Sequence, residues 1–171
     1  MGDGIERFMK DVARYRRVTV DTCVCIYYLD RHSEHHELAR ALFLLAARGD
    51  ITIEIAGITF TELLVGPFRS GDRRAIEVVF SLARQQQGVQ LAPVSETVLI
   101  AGAMIRAVTK LKAPDALIAA SAAIHGCGAV ITNDSDFAGI RGVTSITLPM
   151  SATRVIPLPA YVSVGDYSES R

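Results

Sequence analysis

The 171-residue chain lacks an excess of charge of either sign: eighteen Lys and Arg balance eighteen Asp and Glu. No overall field draws it toward nucleic acid or an acidic lipid surface, so any such contact has to be built locally. Cysteine is scarce, and the odd set Cys23, Cys25 and Cys127 excludes the paired framework of a small secreted domain and suits a reducing cytoplasm. Cys23 and Cys25 are expected to pack as small hydrophobes behind the first strand. The first seventeen residues hold no apolar run, because Asp3, Glu6, Arg7, Lys10, Asp11, Arg14, Arg16 and Arg17 interrupt it, so no signal peptide is expected there. The most apolar stretch, from Ala116 onward, is broken at His125-Gly126-Cys127-Gly128 and reads as helix, turn and strand, not as a membrane span. There is no internal repeat, no linker and no Gly-x-x-x-x-Gly-Lys phosphate loop. The Gly-x-Gly at Gly126 to Gly128 ends a helix, the wrong place for a dinucleotide loop. His32, His35 and His36 lack the His-Glu-x-x-His spacing of a metal helix and are expected as exposed loop residues.

What is present is a chain that is 50% hydrophobic and 21% charged, enough for one buried core. Arg17 to Asp21 is a β-branched run that ends on an acid, followed by a short helix from Cys23 to Leu29. Ser33 can cap a second helix that carries Leu38, Ala41, Leu42 and Leu45 and stops at Gly49. Asp50 to Ile55 alternates apolar with polar, a strand with one wetter face that is expected toward the sheet edge, with a turn at Gly57. A helix over Ile58 to Val65 meets Gly66-Pro67 as its stop signal. Asp72 caps the next helix, with Ile76, Val79, Phe80 and Ala83 inward. Strands at Val89 to Val94, Ala129 to Thr132 and Thr144 to Leu148, and helices at Ser95 to Lys110 and Pro114 to His125, complete the pattern. Strands alternating with helices define an α/β fold: a single-domain parallel sheet of about five strands covered by helices on both faces. Residues 1–16 are expected to form a charged N-terminal extension, 17–148 the domain, and 149–171 a loosely held tail.

Four acids lie against apolar sequence instead of on a polar face: Asp21, Glu62, Asp115 and Asp134. Asp21 and Asp134 follow apolar strands at the carboxyl end, where parallel sheets open their ligand crevice. Each acid also has a local reading. Asp21 can cap the following helix, Asp115 can complement a helix dipole, and Asp134 can serve a turn. Glu62 has neither a Lys nor an Arg three or four positions away to pair with it. Carboxylates gathered into one cleft raise one another's pKa unless a cation neutralises them. With no His or Cys ligand set, the oxygen donors favour Mg²⁺ or Mn²⁺ over Zn²⁺, and such ions serve phosphodiester hydrolysis.

At these residues the sequence resembles a PIN-domain ribonuclease, most closely the VapC-type toxins of toxin-antitoxin pairs. Four stretches match in order: Val18-Thr19-Val20-Asp21-Thr22, Thr61-Glu62-Leu63-Leu64-Val65-Gly66, Lys112-Ala113-Pro114-Asp115-Ala116-Leu117-Ile118-Ala119-Ala120, and Ile131-Thr132-Asn133-Asp134-Ser135-Asp136-Phe137. The resemblance implies a Mg²⁺- or Mn²⁺-dependent endoribonuclease with Asp21, Glu62, Asp115 and Asp134 as the catalytic, metal-holding acids and Asp136 as a further metal ligand. Thr22 and Thr132 fall where the family places hydroxyls that position a carboxylate or a water. The resemblance further implies an RNA substrate, a small antitoxin protein that covers the acidic cleft, and a homodimer. A housekeeping RNA-processing nuclease and a non-catalytic RNA-binding module of the same fold are the alternatives; retention of all four acids counts against the second.

Fifteen of the eighteen basic residues are Arg, the residue type suited to bidentate phosphate or carboxylate contacts. They form two local clusters, Arg14-Tyr15-Arg16-Arg17 and Arg69-Ser70-Gly71-Asp72-Arg73-Arg74, which read first as solvated surface and second as RNA contacts.

Overall fold

The computed structural model describes residues 2–31, 34–140 and 142–149. The elements run α1 (Gly2–Val12), β1 (Arg17–Val20), α2 (Thr22–Leu29), α3 (His36–Ala47), β2 (Thr52–Ala56), α4 (Gly57–Ser70), α5 (Arg73–Arg84), β3 (Val89–Ala92), α6 (Glu96–Val108), α7 (Ala113–Ile124), β4 (Ala129–Thr132), a 3-10 turn at Ser135–Phe137, and β5 (Ser145–Thr147). The strands pair in parallel in the order β3-β2-β1-β4-β5. Chain order reverses between β1 and β4, so their carboxyl ends flank the topological switch point of the sheet.

Alternation along the strands sorts side chains to two faces. Val18, Val20, Ile53, Ile55, Ala129 and Ile131 join one cluster with the buried residues of α1, α2 and α3, together with Leu63 and Leu64 of α4 and Val79, Leu82 and Ala83 of α5. Val130 joins a second cluster with Ala116, Ile118, Ala119 and Ala122 of α7, Leu111 and Phe137. Small residues let α6 and α7 pack closely: a Cβ on Gly102 would lie 2.8 Å from Leu117 Cδ2. No helix among the described residues is long and apolar enough to cross a membrane.

Several expectations change. The charged leader is a helix: Ile5, Phe8, Met9 and Val12 recur at helical spacing, and Phe8 and Val12 are buried in the core. Gly57 is not a turn but the first residue of α4, and that helix runs through Gly66-Pro67 to Ser70. Proline's fixed φ is compatible with a helix, and the stop comes instead at Gly71, in the left-handed region at φ 69°. The alternating strand β2 is not at an edge; it pairs with both β1 and β3. Its polar Glu54 is buried beneath α7, where Ser121 Oγ donates to it at 3.2 Å, His125 Nδ1 lies at 2.9 Å and Arg17 Nη1 at 3.6 Å. In a doubly covered sheet, a polar side chain at an alternate position marks a buried pairing, not a wet face. Helix α3 starts at His36 with His35 at its N-cap and no side-chain cap. Ser33 and His32 lie outside the described residues, as do tail residues 150–171.

Candidate active site

Asp21 follows β1 and is only 7% exposed. It caps α2, with Oδ1 accepting from Thr22 N at 2.6 Å, while Oδ2 accepts from Thr132 Oγ1 at 2.7 Å and from Cys23 Sγ at 3.3 Å. The same Thr132 hydroxyl accepts from Asp134 N at 2.9 Å. One fully buried hydroxyl, at the end of β4, therefore ties together the two strand-end acids. Asp134 in turn caps the 3-10 turn, its Oδ1 accepting from Asp136 N at 2.8 Å. Glu62, on the first half of α4, accepts from Thr22 Oγ1 at 2.5 Å. Asp115 sits in the first turn of α7, behind Pro114.

The local roles expected of these acids as caps and first-turn residues are real, and they coexist with a shared field. The Asp115 carboxyl is held above its ordinary pKa, first by burial and then by the charges of Asp21, Asp134 and Glu62, against a smaller lowering by Lys112. Elements from four parts of the chain thus put their carboxylates within electrostatic reach of one another. Asp136 differs: it is not among the charges acting on Asp115. None of these five acids forms an ion pair with Lys, Arg or His among the described residues.

The donors are carboxylate and hydroxyl oxygens, the chemistry of a hard divalent cation, and the concentration of unpaired negative charge is what such a cation would relieve. Among the described residues no three His, Cys, Asp or Glu side chains are already gathered closely enough to enclose an ion. Closing around one takes rotation of carboxylates now tethered to Thr22, Thr132 and backbone N–H groups.

Three neighbours of the site were not anticipated. Cys23 is not simply a hydrophobe behind β1: burial, followed by the charge of Asp21, pushes its thiol up to about 12, so it stays a neutral donor to that carboxylate. Cys25 is buried as expected. His35 and His36 are not free loop residues. His36 Nδ1 lies 3.1 Å from Tyr27 O, and His35 Nε2 lies 3.3 Å from Asn133 Nδ2, docking the start of α3 onto the loop that carries Asp134. That pairing joins residues 98 apart in sequence, and no local pattern announces it.

The PIN domain family model matches residues 18–143, and the chain belongs to that family. Solved structures share the fold. VapBC from Salmonella typhimurium bound to DNA matches at 24% identity and a TM-score of 0.64, over 78% of this chain and 98% of that one. A toxin-antitoxin complex from Klebsiella pneumoniae matches at 26% identity and a TM-score of 0.56, over 74% and 95%. The VapC20 toxin of Mycobacterium tuberculosis, a sarcin-ricin-loop-cleaving toxin, matches at 17% identity and a TM-score of 0.59, over 74% and 98%. A search of curated protein sequences gives no match.

Proposed function

We propose that the chain is a Mg²⁺- or Mn²⁺-dependent endoribonuclease and the cytoplasmic toxin of a type II toxin-antitoxin pair. The observation that carries this reading is the gathering of carboxylates at the switch point of the sheet, where Thr132 ties Asp21 to Asp134, Thr22 on the helix capped by Asp21 holds Glu62, and Asp115 lies within reach of their charges. Membership of the PIN family and likeness to toxin-antitoxin structures support it.

Asp21, Glu62, Asp115 and Asp134 would hold the cation, with Asp136 at the rim. A bound Mg²⁺ or Mn²⁺ supplies activation of water toward the scissile phosphate and neutralisation of the charge that develops on it. The protein's own residues do the positioning. Thr132 fixes the rotamer of Asp21 and the loop of Asp134, and Thr22 fixes Glu62. This matters because ligand orientation by neighbouring hydrogen bonds sets both affinity and rate. Without a cation the same four charges repel a polyanion, so substrate and metal enter the cleft in a coupled way.

The small antitoxin would cover this acidic cleft with a basic or apolar segment, and a homodimer is the expected assembly. The test is to sequence RNA 5′ ends after induction of the wild type and of Asp115→Asn, with purified proteins assayed on structured RNA in Mn²⁺. New ends in the wild type that are absent in the variant are expected; full activity of a folded Asp115→Asn protein would remove that residue from the site. Growth arrest on expression, relieved by Asp115→Asn and by co-expression of a neighbouring small open reading frame, separates a toxin from a housekeeping nuclease.

A further inference from the structure

Helix α4 continues past Gly66-Pro67 to Ser70, and that extension gives the acid cluster a neighbour. Seven residues make nearly two full turns, so Arg69 lies on the same helix face as Glu62, about 10 Å along the axis. Val65 and Gly66, at the intervening i+3 and i+4 positions, are exposed, and a Cβ at Gly66 would meet nothing within 4 Å. The face between carboxylate and guanidinium is thus low and open. Phe68 stands beside it at 61% exposure, an aromatic ring with no core to join.

Beyond Gly71 the chain turns into α5, whose first two residues are Arg73 and Arg74. Positive charge at a helix N-terminus opposes the macrodipole and costs stability. Two arginines there break a local rule, the kind of violation expected where a site demands it. No ion pair neutralises them or Arg69 among the described residues, although Asp72 and Glu77 are close in sequence; Asp72 is engaged as the α5 cap, its Oδ1 accepting from Ala75 N at 3.0 Å. The corner is held in place by edge-on packing of Phe60 on Phe80, with centroids 5.3 Å apart.

We propose that the α4–α5 corner is a binding surface for single-stranded RNA, with Arg69, Arg73 and Arg74 taking backbone phosphates and Phe68 stacking on a base, so that the strand runs along α4 into the acid cluster. This rests on the endoribonuclease reading and adds where the substrate lies. Arginines without acidic partners beside an exposed aromatic ring make up the ordinary chemistry of a single-strand track. The net charge of the chain is zero, so this local concentration is what would make contact with a polyanion possible.

Binding of a fluorescein-labelled single-stranded RNA to the full chain, measured by anisotropy in chelator over a salt series, tests the surface independently of cleavage. Arg69→Gln is expected to weaken binding and to flatten the slope of log K against log salt by about 0.7, because one phosphate is no longer neutralised. Phe68→Ala is expected to weaken binding at least about fivefold. Arg48→Gln removes one exposed charge at the opposite end of the sheet and is expected to change neither. The Arg73→Gln/Arg74→Gln double variant should bind RNA more weakly yet melt at a higher temperature, a combination that misfolding would not produce. Affinities and salt slopes equal to those of Arg48→Gln in all three variants would overturn the proposal. If the wild type fails to cleave RNA in Mn²⁺ while the arginine variants still lose affinity, the endoribonuclease reading fails and the RNA surface stands.

Discussion

Thr132→Val removes one hydroxyl and almost no volume, and the geometry makes its cost calculable. The Oγ1 atom is fully buried, donates to Asp21 Oδ2 at 2.7 Å and accepts from Asp134 N at 2.9 Å. A hydrogen bond to a charged group contributes about 1.5–3 kcal/mol. Asp21 is only 7% exposed, so bulk water cannot readily replace the donor; Asp134 is exposed, and water can take over its N–H. The larger loss is therefore on the Asp21 side, and a net destabilisation of about 2 kcal/mol follows. For a chain of this size that lowers Tm by roughly 4–8 °C. Both strand-end acids also lose their common tether, which should cost roughly tenfold to a hundredfold in Mn²⁺ affinity or cleavage rate. Thermal denaturation, Mn²⁺ titration calorimetry and an RNA cleavage assay read the three quantities, with Thr132→Ser expected to restore metal affinity and rate because it keeps the hydroxyl. A Thr132→Val protein with wild-type Tm and wild-type Mn²⁺ affinity would refute the view that this hydroxyl organises the acids.

In Asp115 the folded-state pKa is raised, so between the unfolded and folded values the native protein binds the extra proton, and stability falls as pH rises through that window. The penalty is fully present at neutral pH. Metal-free Asp115→Asn should therefore be more stable than metal-free wild type at pH 7, by less than about 1 kcal/mol after screening of this partly exposed group; the difference should vanish as pH falls below the carboxylate range, while cleavage drops at least about a hundredfold. Denaturant melts at several pH values and a cleavage assay check both signs. Thr22→Val removes the 2.5 Å partner of Glu62; cleavage should fall about tenfold, with a stability change under about 1 kcal/mol at this partly exposed position. Glu54→Gln strips the charge from the buried group facing Arg17 and His125, and a loss of about 2–3 kcal/mol is expected by urea denaturation, with Mn²⁺ affinity unchanged because the network lies at the far end of α7 from Asp115.

The fold was legible wherever local pattern and tertiary role coincide. The β-branched runs at Val18 to Val20 and Ala129 to Thr132, the Asp72 cap, and Pro114 at the start of α7 all carry their meaning within a few residues. Failures arose where a residue's partner is distant. Glu54 reads as the wet side of an alternating strand until His125, 71 residues later, is seen to face it. His35 reads as a loop residue until Asn133 is placed beside it. α1 was hidden for another reason: its charged residues dominate the composition, while the core packing is made by Phe8 and Val12, one turn apart on the buried face. Gly66-Pro67 misled because a stop signal is a propensity, and a proline in the last turn of α4 does not override the packing of Leu63 and Leu64 upstream.

The acids themselves show why local and shared roles need not compete. Asp21 and Asp134 occupy N-caps, and Asp115 the first turn of α7, so three of the four carboxylates sit at positive ends of helical dipoles or accept from backbone N–H groups there. That placement lets the chain fold with the charges gathered, and burial, followed by the remaining repulsion from Asp21, Asp134 and Glu62, is what raises Asp115. Glu62 alone lies inside a helix, away from any N-terminus, and has the Thr22 hydroxyl in place of a dipole. On the proposed reading, the stability of the metal-free cleft and its affinity for a dication would have one origin: helix starts compensate the carboxylates only in part, and the uncompensated remainder would drive binding.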